Sequence, residues 1–258
     1  MGKAKEVRIE PISAADSRRI IVTLHYSGKT CPGSSIHLGA FYRGRCCGAM
    51  TFGVPIDKRG SVKLVEGTKW NGMLELNRMA FSDVLPRNSE SRALGYAMRW
   101  LARSYRELEW VQSFADATQC GDGTIYRAAG FLLTRVQRNR SILRMKDGTI
   151  VTKKSLDDHH GPCGRSLSVV YRERGMIEPL PGFQIRYIKP LRPGVAERLT
   201  VPVLPYSAIE EAGAGMYLGK SRGGSIAADA PPDHGGEGGS SPTPPLHHPK
   251  RRKRPHAT

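Results

Sequence analysis

The sequence predicts an α/β protein, a sheet with helices packed against it, and three observations predict it. Short apolar and aromatic runs, such as WVQSFA at 110–115, have the length and composition of strands. Between them lie stretches in which apolar residues recur every three to four positions. The clearest is 89–104, where Leu94, Ala97, Met98 and Leu101 fall at i, i+3, i+4 and i+7 along one face. Glycines and capping residues punctuate the runs where strands and helices should stop.

Taken in order, residues 7–12 form a first strand, and Ser13 caps a helix whose apolar stripe is Ile20, Ile21 and Leu24. Gly28 stops that helix just after His25 and Tyr26. Residues 36–42 and 45–53 make a hairpin about Arg43-Gly44. A loop without a clear pattern leads to a strand over 73–81, then to the helix over 89–104. The strand at 110–115 ends on Asp116, and strand ends of this kind are where open α/β sheets place ligands. Asp122 and Thr124 offer oxygens to cap a short helix that carries Tyr126 and stops at Gly130. Residues 131–138 form another strand, and 141–153 a hairpin about Asp147-Gly148. Past Lys154 the pattern weakens, and 167–171 and 183–188 read as short strands. From Gly219 the chain turns to Gly, Pro and Ser and ends in a basic run, Lys250 to Arg254, a composition that predicts disorder. The expected organisation is therefore a core over 1–154, an extension over 155–218 packed on it and available to contact DNA, and a disordered tail over 219–258.

The net charge of +17 points to a polyanionic partner, nucleic acid first among them. Seven basic and three acidic residues lie beyond Leu218, so the body up to there keeps +13 and the basicity is not confined to the tail. Five cysteines, odd in number and never spaced C-x-x-C, argue against a disulfide framework and a zinc finger. No apolar run reaches the ~18 residues of a membrane helix, and no signal-peptide segment is present. The expectation is a soluble, intracellular protein.

Two constellations suggest chemistry. The helix beginning at Ser89 presents unpaired N–H groups and a positive dipole end, which suit a phosphate. Arg87, Ser89, Ser91 and Arg92 lie in or beside its first turn, and Arg78 stands on the preceding strand. Tyr126 is a phenol with pKa near ~10, protonated at neutral pH and able to act as a general acid. A capped surface helix and a tyrosine packed on the core are the plainer readings. The run DDHHGPC at 157–163 contains metal-ligand types, but adjacent ligands on a Gly-Pro loop converge poorly, and it reads as surface.

The element order resembles the acyl-CoA N-acyltransferase fold of the GNAT superfamily, a mixed twisted sheet flanked by helices. The usual Q/R-x-x-G-x-G/A phosphate loop is absent, since RNSESR at 87–92 has no glycine. The run from Asn77 to Phe131, with HYSGK at 25–29, is similar to the Mom family of bacteriophage DNA-modification proteins. That resemblance spans residues 13–154 and implies an enzyme acting in the host cytoplasm on double-stranded DNA. Its product would be N6-carbamoylmethyl-adenine (methylcarbamoyl-adenine), which shields phage DNA from host restriction. It further implies an acetyl-CoA or other acyl-CoA donor and an iron centre. Carried over, His25, Tyr26 and Asp116 match the metal and catalytic positions, while Arg78, Ser91 and Tyr126 match the CoA pocket. The competing expectations are a protein or aminoacyl-tRNA N-acetyltransferase, and a DNA-binding protein without catalysis. A methyltransferase is disfavoured by the lack of a D/N-P-P-Y/F motif.

Overall fold

The computed structural model describes residues 3–118, 121–217 and 220–221. Strand β1 (Arg8–Pro11) enters helix α1 (Ala14–Leu24) through Ser13, whose Oγ accepts the Asp16 N–H at 3.0 Å. Strands β2 (Ser34–Tyr42) and β3 (Arg45–Gly53) are joined by Arg43-Gly44, with φ of 50° and 77°, the paired positive angles of a tight hairpin turn. Then follow α2 (Lys58–Val62), β4 (Met73–Phe81), α3 (Ser89–Ser104), β5 (Trp110–Asp116), α4 (Thr124–Ala128) and β6 (Leu132–Arg138). The remainder is β7 (Ile142–Met145), β8 (Ile150–Thr152), α5 (Lys153–Asp157), α6 (Leu167–Glu173), β9 (Ile177–Pro179), β10 (Phe183–Pro190), α7 (Ser207–Glu211) and the pair β11 (Met216–Tyr217) and β12 (Lys220–Ser221). No described helix is long and apolar enough to cross a membrane.

Seven strands form one mixed sheet in the order β1-β2-β3-β4-β5-β10-β6, all antiparallel except the β4/β5 pair. Helices cover its faces, as expected. On one face α1 packs Ile20 and Ile21 against Ala49 and Ala80. On the other, Leu94, Ala97, Met98 and Leu101 of α3 pack with Leu38, Met50, Phe52, Leu76 and Val111 in the main core. Leu76 and Ala80 have the same parity yet serve opposite faces. The cause is a register shift that pairs Phe52 with Leu76 but Thr51 with Arg78, leaving Asn77 as the extra residue of a bulge.

The parallel pairing is short. Only Met73, Leu74 and Glu75 pair with Trp110, Val111 and Gln112, so the strands part after Glu75 and Gln112. Their carboxyl-terminal halves carry Arg78 and Asp116 on either side of the opening.

Three expectations are corrected. Residues 167–171 lie in helix α6 rather than a strand, because Leu167, Val170 and Tyr171 fall at i, i+3 and i+4 and turn inward together. The patternless loop before β4 contains α2. The sheet also disregards the expected boundary at Lys154: β10 inserts between β5 and β6, with Ile185 and Tyr187 in the main core. The small sheet β8-β7-β9 builds a satellite core from Leu143, Leu156 and Ile177. The basic tail, apart from 220–221, lies outside the described residues.

Candidate active site

The end of α1 and the end of β5 meet. Helix α1 stops when His25 turns extended (φ −80°, ψ 133°), which swings Tyr26 out of the helix. Its hydroxyl donates to Asp116 Oδ2 at 3.1 Å, across 90 residues of sequence. The rings of His25 and Tyr26 stack at 4.3 Å. Asp116 is held from its other side, since Oδ1 accepts from the Thr118 N–H at 3.0 Å and from the Thr118 hydroxyl. The structure thus brings His25, Tyr26 and Asp116 together.

His25 Nδ1 accepts the Ser27 N–H at 3.1 Å and lies 2.8 Å from Ser27 Oγ. A backbone N–H can only donate, so the neutral ring carries its proton on Nε2. Burial, reinforced by the Arg78 charge, lowers the His25 pKa to about 4, and the ring is neutral at physiological pH. Arg78 donates to Lys29 O at 3.2 Å and Asn77 O at 2.6 Å. It stands with His25 on the α1 face of the sheet, not on the face that α3 covers.

Tyr126 lies on the opposite face of β5. Its ring is 7% exposed and packs against Phe131 and Tyr187, and its hydroxyl receives a hydrogen bond from Ser113 Oγ at 2.9 Å. Strand alternation puts Ser113 on the α3 side and Asp116 on the α1 side. The expected catalytic residues are therefore split between two faces, with the β4/β5 opening between them.

At the start of α3, Asn88 is left-handed (φ 69°) and makes no side-chain cap, so the first-turn N–H groups are not claimed by it. Arg87 and Arg92 are exposed beside them. Ser89 is buried and its hydroxyl donates to Pro86 O at 2.5 Å, and Ser91 Oγ donates to Asn88 O at 3.3 Å. These arginines and backbone groups fit a pyrophosphate better than either serine does.

An iron ion fits less well. Among the described residues no group of three or more His, Cys, Asp or Glu side chains could hold a metal ion. At the triad the Ser27 N–H occupies Nδ1 of His25, the proton sits on Nε2, and Tyr26 spends its own proton on Asp116. The residues as they stand do not fit a resident iron. In the 157–163 loop, Asp157 is paired with Lys153, and His159 Nδ1 lies 2.9 Å from Ser155 O, as a surface loop would have it.

Sequence reasoning missed a polar chain on the α1 face at the base of the opening. Gln112 Nε2 donates to Glu75 Oε2 at 2.7 Å, Asn77 Nδ2 lies 3.5 Å from Glu75 Oε1, and Ser34 Oγ donates to Asn77 Oδ1 at 3.0 Å. Burial pushes the Glu75 carboxyl above its usual range. The signal was present: Glu75 lies between Leu74 and Leu76, and Gln112 follows Trp110 and Val111, at positions that should face inward.

Residues 6–208 match the sequence profile of the Mom protein family. The chain belongs to that family. It is 42% identical over 129 residues to the methylcarbamoylase Mom of Escherichia phage Mu, a match covering 50% of this chain and about half (53%) of the relative's length. Among solved structures, an IAA acetyltransferase from Bacillus cereus aligns over 71% of this chain and 99% of its own at 11% identity and a TM-score of 0.43. A GNAT family acetyltransferase from Elizabethkingia anophelis, solved with acetyl-CoA, aligns over 72% and 98% at 11% identity and a TM-score of 0.39.

Proposed function

We propose that this Mom family member is a transferase that modifies adenine at N6 in double-stranded phage DNA, producing N6-carbamoylmethyl-adenine and so shielding the DNA from restriction. The observation that carries the reading is the 42% identical stretch shared with the phage Mu methylcarbamoylase, within a chain of net charge +17. The residues supply a consistent division of labour. As an N–C bond forms at N6, that nitrogen must shed one proton. Asp116 Oδ2, already accepting a hydrogen bond from Tyr26, would receive it. Neutral His25 offers Nε2–H as a donor to negative charge developing nearby, and Arg78 adds a fixed positive charge on the same side.

The opposite face would receive a CoA-type donor carrying the transferred group; plain transfer of an acetyl unit would yield N6-acetyl-adenine instead. The first-turn N–H groups of α3, with Arg87 and Arg92, would hold its pyrophosphate. As the methylene carbon of the carbamoylmethyl group bonds N6, its bond to the group that carried it breaks, and Tyr126, on that same face, would give its proton to that departing group. Donor and base would then approach from opposite faces and meet where β4 and β5 part.

The test is mass spectrometry of nucleosides from the DNA of cells expressing the protein. The expected result is a new adenine nucleoside heavier by one carbamoylmethyl group. Unaltered DNA together with acetylated cellular protein or tRNA would overturn the reading in favour of an N-acetyltransferase.

A further inference from the structure

Strand β5 is interior to the sheet, flanked by β4 and β10, yet Phe114 on it is 46% exposed. Interior strands of sheets with helices on both faces are normally covered on both. An apolar ring left open at mid-sheet offers a face for stacking. Phe114 shares its face with Asp116, two residues on, whose carboxylate takes the Tyr26 hydrogen bond. Directly across the ladder from Phe114 stands Arg186 of β10, and across from Arg186 stands Arg135 of β6. Opposed residues of an antiparallel pair share a face with Cβ atoms about 4.5–5.5 Å apart.

Two arginines facing each other repel. Arg186 is only 8% exposed, and burial, helped by the Arg135 charge, lowers its pKa to about 10. Its Nε donates to Thr134 Oγ1 at 3.0 Å, but neither arginine has an ion pair among the described residues. Keeping such a pair is costly unless an anion joins it. An exposed apolar ring, an exposed arginine with a buried one beside it, and a carboxylate thus share one face of the sheet. A nucleotide matches all three: a flat base, a phosphate, and on adenine an amine that donates to a carboxylate.

We propose that this patch is the seat of the extruded target nucleotide, with adenine stacked on Phe114, its amine at Asp116 and its phosphate at Arg186 and Arg135. The assignment rests on the proposed function and names how the base is presented. Adenine N6 is reached for chemistry only once the base leaves the helical stack, and aromatic side chains commonly receive a base so extruded.

The test compares two duplexes, one fully paired and one carrying a single adenine opposite an abasic site. Wild-type protein binds the second more tightly, because its adenine has no pairing to lose. Phe114→Ala should weaken that binding about 5- to 150-fold, the range for losing one base stack. Phe114→Trp should retain it, and Arg135→Gln should lower the salt slope by about one on both duplexes. Adduct yield in cells should follow the same ranking. Since Phe114 is half exposed, both Phe114 variants should melt near the wild type. The assignment is overturned if Phe114→Ala binds the unpaired adenine as well as wild type does, or if Phe114→Trp falls as far as Phe114→Ala. A wild type that prefers the unpaired adenine but leaves cellular DNA unmodified overturns the proposed function and supports the nucleotide seat.

Discussion

Asp116 has a local task and, in the proposed function, a chemical one, and they use different atoms. Oδ1 closes the turn onto Thr118, while Oδ2 meets Tyr26. An amide oxygen serves the turn as well as a carboxylate, so Asp116→Asn keeps the backbone and removes the proposed base. Adduct yield should drop at least about a hundredfold, with the melting temperature little changed. If Asp116→Asn modified DNA at the wild-type rate, the carboxylate would not be the proton acceptor. His25 offers a measurement independent of activity. Its folded pKa of about 4 lies below the ordinary 6.5, so the unfolded chain binds the proton more readily. Stability from this site is fully present above pH 6.5 and is lost as pH falls from there toward 4. His37, lowered by burial, acts in the same direction, and Glu75, raised by burial, acts oppositely as pH rises above 4.5. The informative quantity is therefore the difference between His25→Gln and wild type. The variant should lose melting temperature less steeply over that window, and equal slopes would mean the imidazole is not shielded.

At the scale of elements, the hydrophobic period made some things plain and left others hidden. Helix α3 was readable to the residue, because four apolar positions on one face and the absence of proline outweigh the single Gly95. The β2/β3 hairpin was readable from a turn that only positive φ can make. Partnership was not readable. Strand β10 looks like any short apolar run, and nothing local says that it slots between β5 and β6, strands that precede it by 45 residues or more. The site divides the same way. The Tyr26–Asp116 meeting was expected, but only through resemblance, since a contact across 90 residues has no periodic signature. Phe114 and Arg186 went unnoticed because exposure on an interior strand is a property of the covering layers. The place of β10 has a direct consequence. A chain ending at Lys154 would leave β5 and β6 without the strand that joins them, exposing two ladders and the pocket that Ile185 and Tyr187 fill. Such a chain should aggregate or show no cooperative thermal transition by circular dichroism. A sharp melt near that of the full chain would mean that the sheet closes without β10.

At the scale of the whole molecule, charge decides how the protein finds its substrate before any residue of the site matters. A body that keeps +13 without its tail repels cationic partners and draws polyanions along its whole surface. Phosphate neutralisation releases condensed counterions, so affinity should fall linearly with the logarithm of salt concentration. Six phosphate contacts would cost about a thousandfold in affinity between 50 and 200 mM salt. The five consecutive basic residues from Lys250 to Arg254 would add to that count. A chain ending at Ser221 should therefore bind duplex DNA with a slope shallower by up to about four or five, while keeping the preference for an unpaired adenine that belongs to the site. Fluorescence anisotropy over a salt series separates the two effects. A slope unchanged by the deletion would place all phosphate contacts on the folded body. Loss of the unpaired-adenine preference with the tail would instead move base presentation away from β5.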